Sequence, residues 1–196
     1  MVETVKHLMN CGFRVVYGYT ESDEISLLFH REEQTFSRKV HKYNSILAGE
    51  ASAAFTHLLG QVAVFDCRMI PLSTIELVQD YFLWRQEDAH RNGLNAHCYW
   101  LLRGEGLSAT KATAQLEGES VSYKNELLFS RGTNFDKLPS WQKRGIGVWW
   151  EEYEKPGHNP MTGQMEPALR RRLQVNDELP LGMDYAQMMA GILTDE

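Results

Sequence analysis

The residues ESDE at positions 21–24 lie between two runs with the composition of β-strands, Phe13–Tyr19 and Ile25–Phe29. Three carboxylates at one strand–turn–strand junction repel one another and add nothing to an apolar core. Asp23 follows the hydroxyl of Ser22 at the tip of the predicted hairpin, where it could bind Mg²⁺, an ion that proteins hold with one or two carboxylates plus phosphates and waters. A solvated acidic turn explains these residues equally well, because turns favour Asp and Ser for backbone reasons.

The two adjacent acids of this turn, Asp23 and Glu24, are not equivalent. Successive side chains of a strand point to opposite faces, so both carboxylates cannot reach one point unless a bulge intervenes. We therefore expect one of them to face a binding site and the other to orient a neighbouring group or face solvent.

A basic group follows in the segment FSRKVHK, which we predict to begin a helix over Phe36–Leu59. On that helix Arg38 and Lys42 are four residues apart, and Lys39 lies beside them. Cations at a helix start oppose the helix dipole unless an anion is bound there. One hypothesis is that a triphosphate held by these cations, with Mg²⁺ bridging to Asp23, neutralises both charged groups. A solvated basic face is the simpler alternative.

The remaining pattern predicts an α+β fold, an antiparallel sheet covered by helices with a C-terminal β-hairpin arm. The arm consists of the strands VWWEEYEK and ALRRRLQV on either side of the turn GHNPMTGQ. A short buried strand is predicted at Gln61–Cys67. Helices are predicted at Val2–Asn10, Ser108–Leu116 and Ser120–Ser130, with Ser108 as an N-cap. Thr74–Arg103 is predicted to be one long helix or a kinked pair of helices.

Composition excludes several classes of protein. No run approaches the roughly 20 apolar residues of a membrane span, and the first residues lack the apolar region of a signal peptide. The three cysteines are scattered, which favours a reducing, cytoplasmic setting without a disulfide framework. A net charge of −6 argues against an indiscriminate nucleic-acid coat, although it allows a local basic patch.

A polar stripe continues the apolar face of the long predicted helix. Its members fall within about 100° of one another at 100° per residue. They form either a hydrogen-bonded network, such as an Arg85–Asp88 pair, or a surface for a polar substrate. The stripe contains Val78, Tyr81, Arg85, Asp88, Asn92, Asn95 and Tyr99.

Several longer motifs carry a resemblance to a known family. They are YTESDEISLLF, VFDCRMIP, DYFLWRQEDAHRNGLNAHCYW, YKNELLFSRGTNF, LPSWQKRGIGVWW and NPMTGQ. In this order, from about Val2 to Tyr185, the chain resembles the tRNA(His) guanylyltransferase family, and most closely its bacterial and archaeal Thg1-like branch. The resemblance implies a palm-like catalytic domain over residues 1–135, similar to polymerases and class III nucleotide cyclases. Residues 136–196 would add the hairpin arm and a terminal helix in the same structural unit.

The resemblance also assigns roles to individual residues. Ser22 and Asp23 match the family's S-D motif, which binds the nucleotide triphosphate and Mg²⁺, and Glu24 matches the adjacent acid, so that Asp23 and Glu24 are the implied catalytic carboxylates. Lys39 and Lys42 match basic positions that approach the triphosphate. Less firmly, the family's F-D-x-R and K-N-E motifs correspond to Asp66, Arg68, Lys124 and Asn125.

The implied activity is 3′→5′ addition of nucleotides to the 5′ end of tRNA. An NTP, usually ATP, first activates the 5′-monophosphate, and the 3′-hydroxyl of an incoming NTP such as GTP then attacks that phosphate. Both steps are phosphoryl transfers assisted by metal ions. The implied partners are therefore Mg²⁺, tRNA and NTPs, and the implied assembly is a homotetramer.

Two departures from the family pattern modify this expectation. Enzymes that recognise the His anticodon carry an H-I-N-N run, whereas this chain has His90-Arg91-Asn92-Gly93, which favours template-dependent 5′-end repair. The family's first strand, with its D-G-R-x-F motif, would precede Met1. Asp66 is the only nearby acid that could replace the Asp of that motif, so we expect weak Mg²⁺–NTP binding and slow turnover from these 196 residues.

Two other functions are compatible with the sequence. A non-catalytic tRNA-binding or assembly member of the family would explain the absent motif. A cyclase-like enzyme acting on free NTP is the other alternative. The basic QKRG segment and Arg170–Arg172 weigh against the cyclase, because a free nucleotide needs no such extension.

Overall fold

The computed structural model describes residues 1–158, 161 and 163–194, which form two compact units. The first unit contains the described residues of Met1–Pro71, Ile146–Asn176 and Ala190–Glu196. The second contains Leu72–Gly145 and Asp177–Met189. Each unit has its own cluster of buried apolar side chains.

The first unit is built on a four-stranded antiparallel sheet. Its strands are β1 (Val15–Glu21), β2 (Glu24–Phe29), β3 (Ile146–His158) and β4 (Met165–Asn176). They lie side by side in the order β2-β1-β3-β4, and every neighbouring pair is antiparallel. This sheet, combined with helices, confirms the predicted α+β class, and β3 and β4 form the predicted C-terminal hairpin.

Two helices, α1 (Val2–Leu8) and α2 (Val40–Leu59), form the core of this unit with the sheet. The core contains Val5, Tyr43 and Val148, from α1, α2 and β3 respectively. The first helix approaches β1 closely, because a Cβ atom added to Gly18 would lie only 2.4 Å from Cγ1 of Val5. A residue without a side chain is therefore required at this point of the strand.

The strand predicted at Gln61–Cys67 is wrong. The segment is extended, with alternating exposed and half-buried side chains, but it pairs with no strand in the part of the chain that the structure describes. Its backbone N–H groups donate hydrogen bonds to side-chain hydroxyl groups of α2 instead. The Ala63 N–H donates to Oγ1 of Thr56 at 3.0 Å, and the Phe65 N–H donates to Oγ of Ser52 at 2.8 Å. The pattern of a half-buried strand was present, but its hydrogen-bond partners lie on a helix.

The helix predicted from Phe36 begins later, at Val40. A single 3₁₀ turn precedes it, Thr35–Arg38, and the last three residues of that turn have positive φ values of 53°, 53° and 57°. None of them is glycine, so each left-handed residue costs roughly 1–2 kcal/mol. Contacts around the turn must offset this cost.

The second unit is helical. The long helix predicted from Thr74 is confirmed, and the side chains of Thr74, Ser108 and Ser120 cap the helices that follow them. Buried Leu94 and Cys98 of the long helix pack in a cluster with the next two helices. The four helices are α3 (Ile75–Gly104), α4 (Ala109–Leu116), α5 (Val121–Phe129) and α6 (Trp141–Arg144).

A last helix, α7 (Gly182–Thr194), begins in the second unit. The side-chain amide of Gln79 donates to the carbonyl of Ala186 at 2.8 Å, and that of Gln86 donates to the carbonyl of Pro180 at 2.9 Å. These two bonds attach the segment before and inside α7 to α3.

The hairpin of β3 and β4 extends beyond the rest of the sheet. β1 pairs with β3 only from Ile146 to Trp149, so that from Trp150 to His158 β3 pairs with β4 alone. The predicted turn GHNPMTGQ lies partly outside the described residues. No helix among the described residues is long and apolar enough to cross a membrane.

The close approach of α1 and β1 predicts a stability difference between two glycines. We expect Gly18→Ala to lower the free energy of unfolding by about 1–3 kcal/mol, because the new methyl group overlaps the stiff side chain of Val5. Gly49→Ala, in α2 with open space around it, should raise that free energy by about 0.5–1 kcal/mol. Urea unfolding of both variants measures the difference, and equal effects would contradict the close packing.

Candidate functional site

The acidic turn is a tight two-residue hairpin. Glu21 pairs directly with Glu24, which leaves Ser22 and Asp23 as the turn, and Ser22 has a φ of 51°, as hairpin turns of this length require. The hydroxyl of Thr20 donates to the carbonyl of Glu24 at 2.8 Å and supports the turn. The backbone therefore presents the serine hydroxyl and the adjacent carboxylate at the tip.

The side chains of this tip are available to a ligand. Ser22, Asp23 and Glu24 are exposed. Within the described residues, the side chains of Ser22 and Asp23 form no ion pair or hydrogen bond with the protein. No group of three or more His, Cys, Asp or Glu side chains that could hold a metal ion occurs among those residues. Any cation at this turn must therefore complete its shell with water or with a ligand.

Lys39 and Lys42 are at the opposite end of the β1–β2 ladder. Lys39 is the N-cap residue of α2, and Lys42 is next to Tyr43. The ring of Tyr43 contacts Phe13 and Phe29, with centroid distances of 4.9 and 5.5 Å. Phe29 is the last residue of β2, whereas the acidic turn lies immediately before the first residue of that strand.

This placement separates the two charged groups by the length of β2. The strand has six residues, so its ends are roughly 17 Å apart at about 3.3 Å per residue. The hypothesis that one triphosphate neutralises both groups stays a prediction, as do the roles of Asp23, Lys39 and Lys42.

Arg38 is not part of the helix, contrary to the sequence-based prediction. Its Nε donates to the carbonyl of Glu33 at 2.6 Å, and its Nη2 donates to the carbonyl of Arg31. The guanidinium group thus holds the loop between β2 and α2. Lys39 and Lys42, by contrast, are exposed and make no ion pair within the described residues.

Asp66 and Arg68 are exposed on the segment that follows α2. Residues 63–65 of that segment run antiparallel to α2, because Ala63 bonds to Thr56 and Phe65 bonds to Ser52 one turn earlier. The roles that the resemblance gives Asp66 and Arg68 stay predictions.

Glu33 was not identified from the sequence, although it is the most enclosed carboxylate of this region. It is only 3% exposed. Its Oε1 accepts the Thr35 N–H at 2.5 Å, and its Oε2 accepts the Arg14 N–H. Burial by itself raises the pKa of this carboxyl, but the hydrogen bonds from Thr35 and Arg14 more than offset this effect and hold the pKa below its ordinary value. In HREEQTF nothing distinguishes Glu33 from its exposed neighbour Glu32.

Lys124 and Asn125 belong to the second unit, on α5. The carbonyl of Lys124 accepts a bond from Sγ of Cys98 at 3.3 Å, and Nδ2 of Asn125 donates to the carbonyl of Val121 at 3.0 Å. The asparagine amide is therefore used within its own helix. The roles that the resemblance gives these two residues stay predictions.

The polar stripe of α3 is a network centred on Asp88. Its carboxylate oxygens accept bonds from Arg91 at 3.0 Å and Asn92 at 3.2 Å, and buried Arg85 lies 3.7 Å away. The predicted Arg85–Asp88 pair is present. The network therefore favours the structural alternative for these residues over a substrate-facing role.

The run His90–Gly93 contacts α6. A Cβ atom at Gly93 would lie 2.4 Å from the backbone oxygen of Gln142, so this position has no room for the second Asn of H-I-N-N. The imidazole of His90 packs edge-on against Phe135 at 5.3 Å. Burial lowers the pKa of His90. The run thus performs a packing role that H-I-N-N could not perform in the same geometry.

Most cations of the basic QKRG and arginine segments have partners in the protein. Buried Lys143 donates to the carbonyl of Asp136 at 2.5 Å, and Arg144 donates to the carbonyl of Leu179 at 3.0 Å. In the arm, Arg172 pairs with a glutamate at 2.7 Å, and Arg171 lies over the ring of a tryptophan. Because these cations have partners within the protein, they are weaker evidence against a cyclase-like function than the sequence alone indicated.

The fold is that of solved Thg1-like proteins. The chain superimposes with a TM-score of 0.72 on a structure titled bacterial tRNA(His) guanylyltransferase (Thg1)-like protein in complex with ATP, at 27% identity. The superposition covers 97% of this chain and 76% of that one. An antiparallel sheet with covering helices and an acidic hairpin turn therefore places the chain in the structural class of Thg1-like proteins.

Sequence comparisons define the family. Family models described as tRNAHis guanylyltransferase and as Thg1 C terminal domain match residues 1–73 and 76–179. The tRNA(His) guanylyltransferase of Debaryomyces hansenii is 30% identical over 193 residues, which is 91% of this chain and 72% of that protein. The chain belongs to the tRNA(His) guanylyltransferase family.

The length of the match differs among the relatives. The tRNA(His) guanylyltransferase 1 of Arabidopsis thaliana is 27% identical over 188 residues, which is 87% of this chain but 33% of that protein. Several mammalian relatives are matched over about half of their length, for example 51% in the mouse. The activity of such relatives is therefore a proposal when it is extended to this chain.

The hydrogen bonds of Glu33 predict a pH-dependent contribution to stability. We expect Glu33→Gln to lower the free energy of unfolding by about 2 kcal/mol at pH 7, because two backbone N–H groups lose a charged acceptor. The folded-state pKa lies below the unfolded value, so the contribution is complete above the unfolded pKa and is lost as the pH falls through the folded pKa.

Urea unfolding of wild type and variant across the acid range measures this contribution. The exposed neighbour Glu32 provides a matched control, since Glu32→Gln should change the free energy of unfolding little at any pH. Arg38 also contacts Glu33, and burial raises the pKa of the nearby Tyr43. A Glu33→Gln effect of the same size at pH 7 and at about pH 3 would contradict the ionised hydrogen-bonded carboxylate.

Proposed function

We propose that this protein is a nucleotidyltransferase that adds nucleotides to the 5′ end of tRNA. Membership of the tRNA(His) guanylyltransferase family supports the reaction, and the solved Thg1-like relatives in complex with ATP and with GTP support nucleotide binding. The observation that carries the proposal is the exposed Ser22–Asp23 turn, which presents a hydroxyl and a carboxylate that has no partner among the described residues at the tip of a two-residue hairpin.

The donor set at the turn fits Mg²⁺ in one particular mode. Mg²⁺ keeps several waters and takes one or two carboxylates together with substrate phosphates. Asp23 supplies one such carboxylate, and the remaining ligands would come from the nucleotide and water. When bound, Mg²⁺ would offset the negative charge that develops on the phosphate oxygens during transfer. Glu24 begins β2 beside Asp23, where its carboxylate would orient a neighbouring group.

The cations at the other end of β1 and β2 would bind a second phosphate group. Lys39 and Lys42 are exposed at the start of α2 and would attract a phosphate of the activating nucleotide or of the tRNA backbone. The reaction needs two phosphate-bearing substrates. Two phosphate sites separated by the length of a strand are consistent with that requirement.

The chemistry consists of two displacements at phosphorus. In the first, an oxygen of the tRNA 5′-monophosphate attacks the α-phosphate of ATP, and pyrophosphate leaves. In the second, the 3′-hydroxyl of an incoming NTP attacks the 5′-phosphate of the tRNA, and AMP leaves. The protein contributes mainly positioning and charge complementarity to such reactions.

The choice of tRNA is part of the proposal. Because Gly93 packs against α6, the region that carries H-I-N-N in the enzymes specific for tRNA(His) is built differently here. We therefore propose template-dependent repair of truncated 5′ ends, tolerant of anticodons other than that of tRNA(His). A homotetrameric assembly and a cytoplasmic location complete the proposal.

One incubation separates this function from its alternatives. The protein is mixed with Mg²⁺, labelled ATP, the other NTPs and a tRNA that lacks its first nucleotide, with a truncated tRNA(His) in parallel. Adenylylated and extended RNA supports the proposal, and extension of both tRNAs supports repair. Binding of RNA without product would instead identify a non-catalytic member of the family, and a cyclic nucleotide would identify a cyclase.

The hairpin tip predicts a specific loss of activity. We expect Asp23→Asn to reduce nucleotide addition by at least about a hundredfold, because electrostatic stabilisation of the transferring phosphate is lost. The melting temperature should change little, since the side chain is exposed. Glu117→Gln, at an exposed acid of the second unit, is the control. Mg²⁺-dependent addition at the wild-type rate by Asp23→Asn would exclude the assignment.

The lysines predict a different kinetic effect. Lys39→Ala and Lys42→Ala should raise the concentration of one substrate needed for half-maximal rate, because they remove a phosphate contact rather than a reacting group. Titration of NTP and tRNA separately shows which substrate the lysines bind. If neither concentration changed, this end of the ladder would not be a phosphate site.

A further inference from the structure

We propose that Glu33 is a positioning residue that holds the turn before α2 in a left-handed conformation and so fixes Lys39 and Lys42 for phosphate binding. This inference rests on the phosphate role proposed above for the two lysines. Glu33 itself does not contact the ligand.

The carboxylate of Glu33 joins two segments of the chain. One oxygen accepts the N–H of Arg14, immediately before β1, and the other accepts the N–H of Thr35, at the start of the 3₁₀ turn. The backbone of Glu33 is also engaged: its N–H donates to the carbonyl of His30 at 3.0 Å, and its carbonyl accepts from Arg38 at 2.6 Å. Glu33 therefore connects the sheet to both ends of the turn.

The turn that Glu33 connects needs such support. Its three successive left-handed residues, Phe36–Arg38, are unfavourable without glycine. The backbone of the turn makes two bonds of its own, from the Ser37 N–H to the carbonyl of Gln34 at 2.9 Å and from the Lys39 N–H to the carbonyl of Phe36 at 3.2 Å. Phe36 is 46% exposed, and the α2 N-cap residue makes no side-chain cap bond. The ring of Phe36 does touch Phe13 at 6.0 Å. The buried carboxylate and the Arg38 guanidinium thus provide most of the polar contacts that offset the backbone cost.

The turn determines where the lysines lie. Lys39 follows the last left-handed residue directly, and its carbonyl accepts the N–H groups of Lys42 and Tyr43 at 2.8 and 3.3 Å. The direction of the first helical turn is therefore set by the residue that leaves the 3₁₀ turn. If the turn relaxed to right-handed dihedrals, the path of the chain into α2 would change, and Lys39 and Lys42 would move with it.

The first arm of the test measures the conformation without any ligand. Amide hydrogen exchange is compared among wild type, Glu33→Gln and the matched neighbour Glu32→Gln, at a temperature where all three are folded. We expect Glu33→Gln to accelerate exchange in residues 35–43 while the amides of β3 stay protected. Glu32→Gln should behave as the wild type. Unchanged protection of residues 35–43 in Glu33→Gln would overturn the proposal.

The second arm measures binding of inorganic triphosphate and of Mg·ATP by calorimetry. We expect Glu33→Gln to weaken binding of inorganic triphosphate by about tenfold, because misplaced charged groups lose most of their contribution. Glu32→Gln should leave it unchanged. Tight binding by Glu33→Gln, with faster exchange in residues 35–43, would show that the turn does not position the lysines.

The two proposals can fail separately. If the wild type and Lys39→Ala bound triphosphate equally, the phosphate role of the lysines would be wrong. Faster exchange of residues 35–43 in Glu33→Gln would then still identify Glu33 as the residue that holds the turn. Its role in positioning the two lysines for phosphate binding would be excluded. A Glu33→Asp variant, which keeps both acceptor oxygens, should recover part of the affinity only if the carboxylate itself is required.

Discussion

The direct pairing of Glu21 with Glu24 is the constraint on which the arrangement of the site depends. It limits the turn to Ser22 and Asp23 and sets the register of β1 against β2 as far as Tyr17 opposite Leu28. A bulge between Val15 and Tyr17 then shifts the register, so that Val15 lies opposite Phe29. Acidic residues are thereby placed at one end of the hairpin and the start of α2 at the other. The six residues of β2 between these two ends span roughly 17 Å.

The proposed reaction brings together two phosphate-bearing substrates. In that proposal the acidic end would suit a metal-bound triphosphate, and the basic end, with Lys39 and Lys42, would suit another phosphate group. Many other arginines of the chain are committed to carbonyl or carboxylate partners, as Arg38 and Arg172 are. Charge counts alone therefore do not identify the binding surface.

Much of the fold could be predicted from the sequence, because periodicity and caps are local signals. The hairpin around Asp23, the long helix after Thr74 and the C-terminal hairpin were found in this way. The strand at Gln61–Cys67 was wrong because its amides bond to hydroxyls of α2, a tertiary fact that alternation cannot show. The site was predicted residue by residue from a family resemblance. Its geometry was not, since neither the left-handed turn before Lys39 nor the burial of Glu33 has a sequence signature.

The central claim is that both ends of the β1–β2 hairpin bind phosphate and that they do so separately. Titration of the ¹⁵N-labelled protein with Mg·ATP, followed by amide chemical shifts, tests it most directly, because every backbone N–H near a phosphate reports its own saturation. Two separate phosphate sites would give shifts for residues 22–24 and for residues 39–42, with Mg²⁺ required only for the first group. Shifts confined to other parts of the chain, or a Mg²⁺ requirement shared by both groups, would contradict it.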